Sequence, residues 1–171
     1  MIDHSVLFQA KTFLCWDRFP DLEIKLIPIQ TAVAFFYPPK DKIPIIHLYY
    51  QSGKKDFTES LCFLFHEVGH YLQWDNKSMF ETEFNFFDLI DKDKGEEKIL
   101  FELQAWDYGL QYLEMFLDKE NIEKNQVIKK YEKLKKESLK TYSDKIDKWG
   151  RHEINGATGW NKRKIYNRRH W

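Results

Sequence analysis

His66, Glu67 and His70 are spaced H-E-x-x-H inside the apolar stretch from Leu61 to Trp74. Residues four apart share one face of an α-helix, so both imidazoles can aim at a single point. Two ring nitrogens at that spacing suit one Zn²⁺ ion. Glu67 lies one position round the helix. It can reach a metal-bound water without being a ligand, which is where a general base is needed. The bland alternative is a pair of structural histidines that happen to be four apart, and context has to decide between them.

A catalytic zinc site has three protein ligands and one open position. The metzincin pattern would need Gly at 73 and His at 76, and Gln73 and Asn76 exclude it. A carboxylate from a downstream helix is the other common solution, and Glu102 is the expected third ligand. In a helix predicted over Glu96 to Leu117 it is flanked by Ile99, Leu103 and Trp106. A carboxylate on an apolar face needs a partner, because burying it alone is costly. Ala105 and Gly109 leave room for the motif helix to come close. Glu81, Glu83, Glu96, Glu97 and Asp107 are weaker rivals, being in a loop, at a helix end or off the apolar face.

The elements that must position these residues follow from periodicity. Ser5 to Trp16 reads as a first helix with Val6, Leu7, Ala10, Phe13 and Leu14 on one face. Three strand segments follow, at Leu22 to Gln30, Thr31 to Tyr37 and Ile43 to Tyr50, with Pro28 marking an edge or a bulge. Asp56 and Glu59 form a plausible capping pair for the motif helix. Gly69 inside that helix costs about 1 kcal/mol relative to Ala, which makes sense if another backbone packs against it. Residues 75–95 are a polar, acidic and Phe-rich excursion that could wall a cleft. The last helix is expected over about 121–149, with Gly150 as its stop. The fold class is therefore α+β. A three-stranded N-terminal sheet precedes the motif helix, the glutamate helix and a long C-terminal helix. One domain is expected over 1–150, with its core at 1–117 and a basic aromatic tail at 151–171.

The chain has 171 residues and a formal net charge of zero. That zero hides an asymmetry: residues 1–118 carry 11 Lys and Arg against 20 Asp and Glu, and residues 119–171 carry 16 against 7. A basic tail with Trp160, Tyr166 and Trp171 among its cations suits a nucleic-acid or acidic partner, or docking on the acidic body. No run of about 18 apolar residues is present, so a membrane-spanning helix is not expected. The N-terminus shows no secretory pattern, and cytoplasmic residence is the expectation. Two cysteines, Cys15 and Cys62, make no disulfide framework. Cys62 reads as a small core residue rather than a ligand.

The order of elements, with His66-Glu67-Val68-Gly69-His70 followed by Glu102-Leu103-Gln104-Ala105, resembles the ImmA/IrrE group of zinc metallopeptidase-like proteins, within the gluzincin class of zincins. Many members of that group carry Asn after the Ala, where this chain has Trp106. The resemblance implies a zincin-like metallopeptidase that cleaves a regulatory protein. It also implies that an antiparallel edge strand near Thr31 to Tyr37 binds extended substrate by main-chain pairing.

The leading expectation is a zinc-dependent peptidase acting on a protein or peptide, with zinc on His66, His70 and Glu102 and with Glu67 activating the water. His152, Tyr108, Tyr112 and His47 are candidates to stabilise the oxyanion. One alternative is a catalytically weak zincin-like module that binds a protein or nucleic acid. Another is a small hydrolase of non-peptide substrates, or a structural zinc site.

Overall fold

Alternating burial defines a three-stranded sheet, β1 (Glu23–Ile29), β2 (Val33–Tyr37) and β3 (Ile45–Gln51). In β3, Ile46, Leu48 and Tyr50 turn inward, and in β2, Ala34 and Phe36 do so, as the two-residue period of a strand requires. In this computed structural model, which describes residues 1–39, 43–75, 86–93 and 95–142, β3 is the central strand. β1 runs parallel to it, with Glu23 opposite Ile45. β2 runs antiparallel on the other side, with Val33 opposite Tyr49 and Tyr37 opposite Ile45. Pro28 thus lies on an edge strand, where its missing N–H costs nothing.

The expected first helix divides into α1 (His4–Thr12) and a π-helical turn, Phe13–Arg18. The turn closes where the Phe19 amide donates to the Leu14 carbonyl, five residues back, at 2.7 Å. Leu7, Ala10, Phe13 and Leu14 are buried, so the expected face holds while the wider turn carries the chain into β1.

Helix α2 (Thr58–Asp75) carries the motif and is buried on nearly every side. It packs against β2 and β3 on one flank and against α4 (Glu96–Lys119) and α5 (Lys124–Tyr142) on the other. Its apolar composition all round matches that central place. Half of the expected capping pair forms. Asp56 accepts from the Thr58 amide at 3.1 Å and the Thr58 hydroxyl at 2.6 Å. Glu59 instead faces Lys54 and Lys130, at 3.6 and 3.7 Å, because two cations offer it more than one backbone amide does.

Within the acidic excursion, Phe86–Ile90 form the short helix α3, and the Phe86 ring packs on Phe36 and Phe101. Residues 76–85 and 143–171 lie outside the described part, and with them Glu81, Glu83, His152, the end of the expected last helix and the tail. Helix α5 is amphipathic, with Val127, Tyr131 and Leu134 buried. No described helix is long and apolar enough to cross a membrane.

Candidate metal centre

Two small residues let α2 and α4 touch backbone to backbone. A Cβ on Gly69 would stand 1.8 Å from the Ala105 carbonyl oxygen, and one on Gly109 would stand 2.2 Å from that of Phe65. Those distances leave no room for a side chain at either glycine. His66 and His70 bracket Gly69 along α2, and Glu102 lies one turn before Ala105 on α4. The close approach therefore brings the short glutamate side chain to both rings.

His66 Nε2 lies 3.3 Å and His70 Nε2 lies 3.4 Å from the same oxygen, Glu102 Oε2. Ligand atoms from the three side chains all fall within 4.8 Å of one another, so the trio can hold a metal ion. All three are buried, at 7, 4 and 3 % exposure. Glu67 stands beside the trio rather than in it, with Oε1 4.0 Å from His66 Nε2. Its other oxygen accepts the Phe36 amide of β2 at 2.8 Å. The edge strand thereby fixes the carboxylate.

The two rings are held by different means. Gln73 donates its amide N–H to the Phe101 carbonyl at 2.7 Å, so its carbonyl oxygen is the atom facing His70 Nδ1 at 2.9 Å. His70 Nδ1 must then carry a proton. In the neutral ring, Nε2 presents a lone pair to the Glu102 carboxylate. Two lone pairs at that separation call for a cation between them, a proton or a metal ion. His66 instead lies flat on the Trp106 indole, with centroids 4.1 Å apart and planes 18° apart. His66 Nδ1 and Trp106 Nε1 are buried and have no partner among the described residues. Trp106 thus orients His66 by its face, where a hydrogen-bonding side chain is the more usual device.

Burial and mutual charge set the protonation states of these side chains. Burial pulls His66 down to about 4 and pushes Glu67 up to about 7. Burial also works against a charge on His70, but Glu102, Glu67 and Gln73 outweigh it and its pKa rises. Burial alone would raise Glu102, yet His70 and His66 hold it well below the ordinary carboxylate range. A carboxylate held ionised between two imidazoles can meet a protonated ring or a metal ion alike.

The rival carboxylates go elsewhere. Glu96 is exposed at the start of α4, Glu97 pairs with Lys92 and Asp107 pairs with Lys135. Of the four oxyanion candidates, His152 is outside the described residues. His47 is directed to the far side of the sheet from α2, because it alternates with inward-facing Ile46 and Leu48. Tyr112 packs against Phe19, and Tyr108 is half-buried on α4. Another phenol, Tyr142, feels the charges of the site. Burial, then Glu102 and Glu67, push its pKa up to about 12. Sequence reasoning passed over Lys98, whose ammonium lies 2.9 Å from Glu102 Oε1. The available signal was its place four residues before Glu102 on the same face of α4. Gln73 gives no such signal, since its bond to Phe101 spans two helices.

No protein-family model matches the chain, and comparison with curated proteins and with solved structures returned no match.

Proposed function

We propose that this protein is a zinc-dependent metallopeptidase hydrolysing peptide bonds in a protein substrate. The observation that carries the reading is the convergence of His66 Nε2, His70 Nε2 and Glu102 Oε2, with Glu67 adjacent but separate. Two donors about 2.0–2.1 Å from one tetrahedral zinc ion stand roughly 3.3 Å apart. The separations of 3.3 and 3.4 Å agree with that figure. Two imidazoles and one carboxylate are also the donor set of many hydrolytic zinc sites. The resemblance to the ImmA/IrrE group of zincins points the same way.

A zinc ion bound there would bring a water's pKa toward neutrality and polarise a scissile carbonyl. Glu67 takes the water proton and delivers it to the leaving amine. The Phe36 amide keeps the Glu67 carboxylate aimed. Burial weakens its charged form, so its affinity for a proton suits a base working near neutrality. β2 is an antiparallel edge strand, and it supports pairing with an extended substrate main chain. Zinc and the peptide substrate are parts of this reading.

Zinc content of the purified protein tests it, with His70→Ala and Glu102→Ala alongside. The expected outcome is one zinc per chain, lost in both variants. Glu67→Gln should keep zinc and lose hydrolysis of an unfolded protein substrate. Full hydrolysis by a homogeneous Glu67→Gln protein would end the mechanism. Stoichiometric zinc without any hydrolysis would favour the binding-module alternative.

A further inference from the structure

Lys98 is an unusual neighbour for a metal site. It is 4 % exposed, although lysine is seldom buried without a dedicated partner. Its three ammonium hydrogens have three acceptors. These are Glu102 Oε1 at 2.9 Å, the Leu89 carbonyl at 3.0 Å and the Ile90 carbonyl at 2.9 Å. The rings of Phe101 and Tyr142 stand 5.2 and 5.5 Å from the same nitrogen. The ammonium is therefore fixed from every direction, by two backbone carbonyls of α3, two aromatic faces and one carboxylate oxygen.

The two oxygens of Glu102 are thus divided. Oε2 faces both histidines and Oε1 faces Lys98. We propose that Lys98 is a positioning residue that confines Glu102 to single-oxygen ligation, so that a coordination position stays open beside His66 and His70. The inference rests on the metal site of the preceding reading. Chelation by both oxygens would turn Oε1 from the ammonium toward the ion and weaken the one charged contact of a buried lysine, whose other acceptors are neutral carbonyls. A free carboxylate has no such restraint, and a second oxygen ligand would occupy the place a water needs. A plainer role for Lys98 is to close the last carbonyls of α3. That role alone would not affect how Glu102 meets an ion.

The test is Co²⁺ substitution in wild type, Lys98→Met and Lys98→Arg, reading the visible d–d band, the metal affinity and the unfolding midpoint of the metal-free protein. The wild type should show the intense band of a four-coordinate ion. Lys98→Met should show the weaker band typical of higher coordination, with a metal affinity that differs from the wild type's. Lys98→Arg should recover the band at least in part. An unchanged band and affinity in folded Lys98→Met would overturn the inference while leaving the peptidase reading intact. If Lys98→Met does not fold, carboxylate infrared spectra of wild-type protein with ¹³C-labelled glutamate decide. A single-oxygen signature for the zinc-bound carboxylate supports the inference, and a chelating one overturns it. Wild type that binds neither Co²⁺ nor Zn²⁺ would overturn both. Metal binding with the expected Lys98 response, but full turnover by Glu67→Gln, would overturn the mechanism alone.

Discussion

The open face of the sheet and the seam between α2 and α4 each set histidine among aromatic rings, and of these two, among the described residues, the seam alone has a His/Glu trio that could hold an ion. On the open face of the sheet, His47 sits beside Tyr37 and Tyr49, with ring centroids at 4.9 and 6.1 Å. The Tyr49 hydroxyl lies 3.4 Å from its Nδ1, and its Nε2 has no partner among the described residues. In the seam between α2 and α4, His66 stacks on Trp106 and His70 on Phe101, and both reach Glu102. Same-face neighbours on a sheet stand side by side and point the same way. Their polar tips do not converge. Helices that touch backbone to backbone send side chains from two directions to one point. The aromatic surroundings are common to both regions, and the facing carboxylate is what separates them.

The largest effect should come from prising the seam apart. Gly69→Ala forces a Cβ into the Ala105 carbonyl and should cost about 3 kcal/mol or more, read from the urea midpoint, and abolish metal binding. Gly53→Ala meets nothing within 4 Å and should leave both unchanged. Wild-type metal affinity in Gly69→Ala would show that the close approach does not make the site.

A sharper contrast uses the support of one histidine. Gln73→Leu leaves His70 Nδ1 without its acceptor, and zinc affinity by competition with a chelator should fall about 10- to 100-fold. His47→Ala should bind zinc as wild type does. Equal losses in the two variants would erase the distinction drawn here.

The smallest effect lies at the start of α2, away from both regions. Asp56 accepts from the amides of Ile2 and Thr58 and from the Thr58 hydroxyl. Burial opposes its charge, but the Ile2 and Thr58 hydrogen bonds prevail and hold its pKa below the ordinary aspartate range. Asp56→Ala should cost about 1 kcal/mol near neutral pH. Because the folded-state pKa is depressed, the carboxylate's contribution is present above the unfolded value and is lost as pH falls through the folded one. The gap between wild type and variant in chemical unfolding should therefore narrow on acidification. A gap that stays constant down to pH 3 would remove the carboxylate from the account.

Several features were legible before any coordinates. The i, i+4 histidines, the apolar face around Glu102 and the small residues Gly69, Ala105 and Gly109 named the seam and the side chains that meet in it, because helical period alone puts them on facing stripes. Strand alternation supplied the sheet, and Pro28 its edge. The π-helical turn after α1 is closed locally by Phe19 and Leu14 without a periodic signal, while the Glu59–Lys130 ion pair and the place of His47 depend on partners distant in sequence. The hold of Phe36 on Glu67 belongs with them, as do the bridge from Gln73 to Phe101 and the division of Glu102 between two histidines and Lys98. Local periodicity determined which faces would meet. Only the tertiary structure decided which atoms on those faces share a proton or an ion, because that depends on the helix separation that two glycines allow and on backbone groups that carry no signal in the sequence.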